Sequence, residues 1–130
     1  MREEHVRKLT AMMKRLHTHE DIIASIVEGI TSWMSSESMK PTPSPDNMFN
    51  KHLKQAIQEQ NDIGWGNMIR GYIAIKWSDL QEMHYKQINA GKGFNRRRWE
   101  NEILEYMTRL GKNIWKERCD IVKLENNHTN

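Results

Sequence analysis

Residues 94–115 read FNRRRWENEILEYMTRLGKNIW and predict the start and the buried face of a long helix. If Asn95 is the N-cap, Phe94 and Trp99 occupy the two positions of a hydrophobic staple, N′ and N4. A staple and a cap can offset the cost of placing three arginines at the positive end of a helix. The apolar residues that follow, three and four apart, define one stripe: Trp99, Ile103, Tyr106, Met107, Leu110 and Ile114.

The same helical periodicity covers most of the chain. It predicts helices over residues 3–16 and 19–34, or one helix there with a break near His17. It also predicts a helix over about 47–62 and one from Gly66 or Asn67 to the NAGKG segment at 89–93. Gly64 suits the position just past the end of a helix. Because no segment alternates with period two over a useful length, we expect an all-α protein, a small helical bundle of four to five helices.

A proline-rich segment divides this pattern. Residues 35–47, SSESMKPTPSPDN, contain three prolines, each of which restricts its own backbone and that of the residue before it. We therefore expect an extended Pro/Ser-rich linker. The predicted organisation is an N-terminal helical pair (1–34), the linker (35–47), a three-helix C-terminal domain (48–126) and a frayed tail (127–130).

Several local features carry more specific expectations. Thr18 and Asp21 resemble a capping box at the start of the second helix. Gly71 and Tyr72 fall inside the predicted helix that begins near residue 66, with Tyr72 on its apolar face. Gly111 is expected to kink or end the last helix.

The tryptophans are expected mainly in the core. Four lie at helical spacing from other apolar residues: Trp65, Trp77, Trp99 and Trp115. Arg118 follows Trp115 by three residues and could lie over its ring. Arg70 lies opposite the apolar side of its segment and is expected to be exposed.

Composition indicates an intracellular protein, nuclear or cytoplasmic. The single cysteine, Cys119, excludes an intramolecular disulfide and favours a reducing compartment. The first residues, MREEHVRKL, lack the apolar run of a signal peptide. The most apolar stretch, IIASIVEGI at 22–30, contains Glu28 and is too short to span a bilayer, so no transmembrane segment and no membrane partner are predicted.

The sequence contains no constellation typical of an enzyme, and no cofactor is predicted. It has no nucleophile elbow and no glycine fingerprint after a strand. HTHED at 17–21 offers two histidines and two carboxylates, but His-x-His points to different faces of a helix, so no metal site is predicted. Cys119 stands near Glu117 and Asp120, which disfavour a thiolate, and is interpreted as a small core residue.

Positive charge is concentrated at the C-terminal end. The last forty residues carry nine basic and six acidic side chains, an excess that equals the net charge of +3 for the whole chain. Nucleic acid is a suitable partner for this region, because its phosphates would contact the cations and its bases could stack on the aromatic rings among them. The predicted nucleic-acid-binding residues are Lys92, Arg96, Arg97, Arg98, Trp99, Arg109, Lys112 and Lys116.

Two other interpretations stay open. The arginines could form a solvated face or pair with glutamates elsewhere in the chain. Alternatively, the protein is a helical protein–protein interaction or oligomerisation module with no nucleic-acid role. In that case the isoleucines and Trp33 of the N-terminal pair, residues 3–34, would dock on another chain or on a second copy.

Residues 60–87, QNDIGWGNMIRGYIAIKWSDLQEMHYKQ, resemble a pattern found in uncharacterised helical proteins encoded by or beside reverse-transcriptase retroelements of algae and other eukaryotes. The shared features are Gln60, Ile63-Gly64-Trp65, Arg70-Gly71, Trp77, Gln81 and Tyr85. A second part of the pattern, spaced tryptophans ending in W-x-x-R-N, is similar to Trp99 through Trp115 and Arg118, with Cys119 in place of the asparagine. The resemblance covers about half of the chain and contains no polymerase carboxylate signature. It implies an accessory protein of a retroelement and, by association, binding of RNA or DNA.

Overall fold

The computed structural model describes residues 2–35 and 48–128, and every regular element in these ranges is a helix. The all-α prediction is therefore confirmed, with six helices in the described part of the chain. They are α1 (Arg2–Arg15), α2 (Glu20–Met34), α3 (Met48–Ile63), α4 (Trp65–Met68), α5 (Ile75–Gln87) and α6 (Arg96–His128). Most of the predicted linker, including its three prolines, lies outside the described residues.

The turn between α1 and α2 forms where the break was predicted, but with a different cap. His17 has a φ of 54°, and the backbone N–H of Thr18 donates to Met13 O. The N-cap is His19, whose Nδ1 accepts from the backbone N–H of Asp21 at 3.0 Å. The predicted Thr18 cap is wrong because its hydroxyl accepts a hydrogen bond from a distant tryptophan instead.

The helix predicted from residue 66 to the NAGKG segment at 89–93 is interrupted, which accounts for the extra element. Gly71 has a φ of 102°, in the left-handed region, and residues 69–74 are turn and loop. Tyr72, expected on an apolar face, is 62% exposed. The break is stabilised by the buried side chain of Gln60, which donates to Tyr72 O at 3.2 Å and accepts from Ala74 N–H at 2.9 Å.

The N-terminal helices share one core with the rest of the described chain. The isoleucines of α2 are buried, including Ile22, Ile26 and Ile30, and α2 packs against α1 and α4. Gln81 on α5 accepts from His19 N–H and donates to His17 O. The isoleucine face that the docking hypothesis assigned to a partner is therefore covered by the chain itself.

Helix α6 begins as predicted and ends later than predicted. The Asn95 Oδ1 accepts from Arg98 N–H at 2.9 Å, which confirms the N-cap. The helix continues through Gly111 to His128, so Gly111 does not end it. Of the predicted tail, 127–130, the last two residues lie outside the described part of the chain. Gly111 instead permits close approach: a Cβ there would collide with the carbonyl oxygen of Ile69, in the turn after α4.

Candidate functional site

Arg96, the first residue of α6, is engaged in ion pairs. Its guanidinium donates to the carboxylate of Asp79 on α5 and, at 2.9 Å, to Glu100 one turn along α6. A third carboxylate, that of Glu82, lies 3.9 Å away. These contacts, above all the hydrogen bond to Glu100, raise the pKa of Arg96. Arg96 therefore ties α6 to α5 instead of presenting a free charge.

Arg98 is also internally compensated. Its Nε donates to Glu102 at 3.0 Å and its Nη1 to the carbonyl of Gly93 at 2.7 Å. The guanidinium lies 5.2 Å from the centre of the Phe94 ring. These contacts hold the loop before α6 in place, so Arg98 has a structural role.

The remaining cations of this turn, Lys92 and Arg97, are exposed, and neither forms an ion pair within the described residues. Arg96 and Arg98 thus lie close to four carboxylates, those of Asp79, Glu82, Glu100 and Glu102. Nearby acidic groups therefore compensate two of the four cations of the turn. The interpretation in which the arginines pair with acidic residues therefore accounts for Arg96 and Arg98, two of the three consecutive arginines.

Trp99 cannot act as a stacking platform. Its side chain is 1% exposed, and its Nε1 donates to the hydroxyl of Thr18 at 2.9 Å. The predicted nucleic-acid contact at Trp99 is thus wrong, because the indole is used to join α6 to the turn between α1 and α2.

The other three predicted contacts divide between two sides of α6, because Arg109 and Lys116 line one cavity and Lys112 lines another. Arg109 pairs with Glu105 at 2.7 Å. Lys116 lines a cavity between α1 and α6 together with acidic residues, among them Glu117. Lys112 lines a separate groove between α6 and the α2–α4 side. The eight predicted residues therefore do not form one surface.

The groove beside Lys112 has the more informative chemistry. It has a volume of about 700 Å³ and is lined by three basic side chains, Arg70, Lys112 and Arg118, and by two indoles, Trp33 and Trp115. Among the residues of the described ranges that line it, none is acidic. Its volume falls in the range typical of ligand sites, about 300–1,000 Å³. We call these five side chains the basic–aromatic groove.

The fold positions this groove through two glycines. Gly66 on α4 leaves room for Trp33, whose Nε1 would lie 2.6 Å from a Cβ at that position. Gly111 lets the backbone of Ile69 approach α6, which places the next residue, Arg70, across from Lys112 and Trp115. Substitutions that add a side chain at either glycine would therefore change the shape of the groove.

The aromatic side chains of the groove differ from the sequence-based expectation. Trp115 was expected in the core and is 68% exposed. Arg118 lies over the ring of Trp33, with its guanidinium carbon 5.3 Å from the ring centre, and not over Trp115 as predicted. Arg70 is exposed, as predicted.

A sequence signal for the groove existed in the spacing of charges. Arg96, Arg98 and Arg109 each have a glutamate four residues away, and all three pair with it. Lys112 and Arg118 have no acidic residue three or four positions away in either direction. The spacing of charges thus distinguishes unpaired from paired cations in the sequence alone. Trp33 and Arg70 lie far from Lys112 and Arg118 in the sequence and approach them only in the folded chain.

The histidines form ring contacts instead of an evident metal site. His19 stacks on Phe49 with ring centres 4.1 Å apart and meets His84 edge-on at 4.8 Å. Burial, more than the nearby histidines, lowers the pKa of His84. Within residues 2–35 and 48–128, no group of three or more potential ligands could hold a metal ion. Cys119 is half-buried on α6.

The helices show no membrane-spanning character. Across the described part of the chain, none combines the length and the apolarity needed to cross a bilayer. Even α6, which has 33 residues, carries basic and acidic side chains along its length.

The residues on which the retroelement resemblance rests fall into two groups. Most of them hold the fold, because they are buried or adopt positive φ: Gln60, Gly64, Trp65, Gly71, Trp77, Gln81 and Tyr85. Three others, Arg70, Trp115 and Arg118, line the basic–aromatic groove. Comparison with protein-family models, curated proteins and solved structures finds no match to this chain.

Proposed function

We propose that this protein is a non-enzymatic accessory module that binds nucleic acid, RNA or DNA, through contacts to backbone phosphates. The contact surface in this proposal is the basic–aromatic groove rather than the arginine run at the start of α6. One observation carries the proposal: three cations and two indoles line one groove, with no acidic side chain among the described residues that line it.

The physical argument rests on which cations are available. A cation already paired with a carboxylate gains little from a phosphate, because the exchange must first break the internal pair. Arg96 and Arg98 are in this position. Arg70, Lys112 and Arg118 form no ion pair among the described residues, so a phosphate would meet uncompensated charge and release counterions.

The resemblance to proteins of retroelements extends this proposal to its context. A retroelement accessory protein would meet RNA or DNA inside the cell, in the nucleus or the cytoplasm. The resemblance supplies this context by association, whereas the groove supplies the chemistry.

The test is a binding titration across salt concentrations with a labelled oligonucleotide. The wild type is compared with a variant that neutralises the groove, Arg70→Gln/Lys112→Gln/Arg118→Gln. A matched control, Lys51→Gln/Lys54→Gln/Lys86→Gln, removes the same charge from exposed positions on α3 and α5. We expect the groove variant to weaken binding and to make the log–log salt slope shallower by about 2, at about 0.7 per phosphate contact on a single strand.

Two results would contradict the proposal. One is the absence of binding by the wild type at low salt. The other is an equal loss of affinity in the groove variant and the control, which would indicate general charge attraction without a defined surface.

A protein-interaction module is the second candidate function, and a different observation favours it. Ile75 and Leu104 are 71% and 44% exposed and line one groove. The docking surface in this alternative is therefore at α5 and α6, since the isoleucines of α2 are buried. Light scattering at increasing concentration tests self-association: a mass twice that of one chain, lost in Ile75→Ser/Leu104→Ser, supports it, and a monomer throughout argues against it.

A further inference from the structure

Trp115 is the most unusual side chain of the basic–aromatic groove. Tryptophan is highly buried on average, and Trp65, Trp77 and Trp99 of this chain are at most 8% exposed. Trp115 leaves 68% of its surface open in the middle of a continuous helix. Its ring does not contribute to the core cluster, so the stability of the fold does not explain it.

Cations flank this open ring on both sides along the helix. Lys112 precedes Trp115 by three residues and Arg118 follows it by three, so both lie about one turn away. Arg70 lines the same groove from the turn after α4. This arrangement is complementary to a ligand that carries a flat apolar group between negative charges. The group would contact the ring of Trp115, and the negative charges would contact the cations.

Arg118 is held in place before any ligand arrives. Its guanidinium lies over the Trp33 ring at 5.3 Å, so a cation and an aromatic plane already form one wall of the groove. Guanidinium planes and aromatic rings are the surfaces on which proteins stack unpaired bases. This wall, formed by Trp33 from α2 and Arg118 from α6, therefore provides a second stacking surface in the groove that Trp115 lines.

From this geometry we infer that the groove stacks an unpaired base on Trp115 and so selects single-stranded over double-stranded nucleic acid. The inference rests on the proposed nucleic-acid function and names its ligand class. In a duplex the bases are stacked on one another, so a duplex offers phosphates and base edges but no free base face. A single strand offers both a phosphate and a face, and each stacked base adds affinity without demanding a particular sequence.

The experiment compares an unstructured labelled oligonucleotide with a blunt-ended duplex of equal phosphate number, using the full chain across one series of salt concentrations. The variants are Trp115→Ser and the matched control Tyr72→Ser, which removes another aromatic ring that is 62% exposed. We expect the wild type to prefer the single strand by about 5- to 140-fold, the range that one stacked base supplies. Trp115→Ser should lose most of this preference, whereas Tyr72→Ser should keep it.

The outcomes separate this inference from the proposed function. Equal, salt-dependent binding of both oligonucleotides, unchanged in Trp115→Ser, overturns the inference and leaves phosphate binding intact. Absence of binding to either probe overturns both. Equally tight binding of a polyglutamate peptide of the same charge also overturns the inference, because the groove would then select an anionic chain without regard to bases. A thermal melt of Trp115→Ser that matches the wild type confirms that any loss arises at the groove.

Discussion

The buried amide of Gln60 provides the sharpest test of how this chain holds its fold. Its side chain is 0% exposed and makes four hydrogen bonds. The Nε2 donates to Gly64 O and Tyr72 O, and the Oε1 accepts from the backbone of Ala74 and from the indole of Trp77 at 3.2 Å. One side chain thus replaces the backbone hydrogen bonds that are lost where the predicted helix is broken.

The substitution Gln60→Leu removes both halves of the amide. Two buried donors, Ala74 N–H and Trp77 Nε1–H, then have no acceptor, and each such group costs about 1–3 kcal/mol. The carbonyl of Gly64 loses less, because it also accepts from backbone N–H groups of α4. Burial of the leucine offsets part of the total of about 2–6 kcal/mol, so we expect a net loss near 3 kcal/mol in the free energy of unfolding.

Urea unfolding followed by far-ultraviolet circular dichroism measures this loss. Gln58→Leu is the matched control, because Gln58 lies on the same helix and is exposed. We expect the control to change the free energy of unfolding by less than about 0.5 kcal/mol. If Gln60→Leu destabilises the protein no more than Gln58→Leu, the amide does not hold the break and the reasoning is wrong.

Two further predictions follow from packing and from protonation. Gly111→Ala should lower the free energy of unfolding in urea by about 1–3 kcal/mol, because the added methyl group would collide with the Ile69 carbonyl. This loss is expected even though alanine has the better helix propensity. Gly91→Ala is the control and should not destabilise the protein, because a Cβ there meets no atom within 4 Å. Because burial lowers the pKa of His84, the unfolded chain binds a proton more readily than the folded one. Stability should fall as pH drops below about 6.5, and His84→Gln should lessen that fall; an unchanged pH dependence would contradict this.

Part of the candidate site was predictable and part was not. Lys112 was identified from charge alone, and the exposure of Arg70 was expected from its position opposite an apolar side. The pairing of Arg96 with Asp79 was not predictable, since the two residues meet only when α5 packs on α6. Trp115 was wrongly predicted to be buried, because helical spacing indicates only which residues share a face of a helix. It does not indicate where the helices that pack against that face end.

Features that depend on near neighbours along the chain were predictable from the residues alone. The ends of α1, α2 and α3 and the Asn95 cap follow from local periodicity, glycine and capping side chains, within a few residues. Tertiary structure decided the rest. It broke the segment after α4, because Gln60 lies 12 to 14 residues from the backbone groups it satisfies. It also assembled the basic–aromatic groove, because Trp33 and Arg118 are 85 positions apart and meet only where α2 and α6 converge on α4.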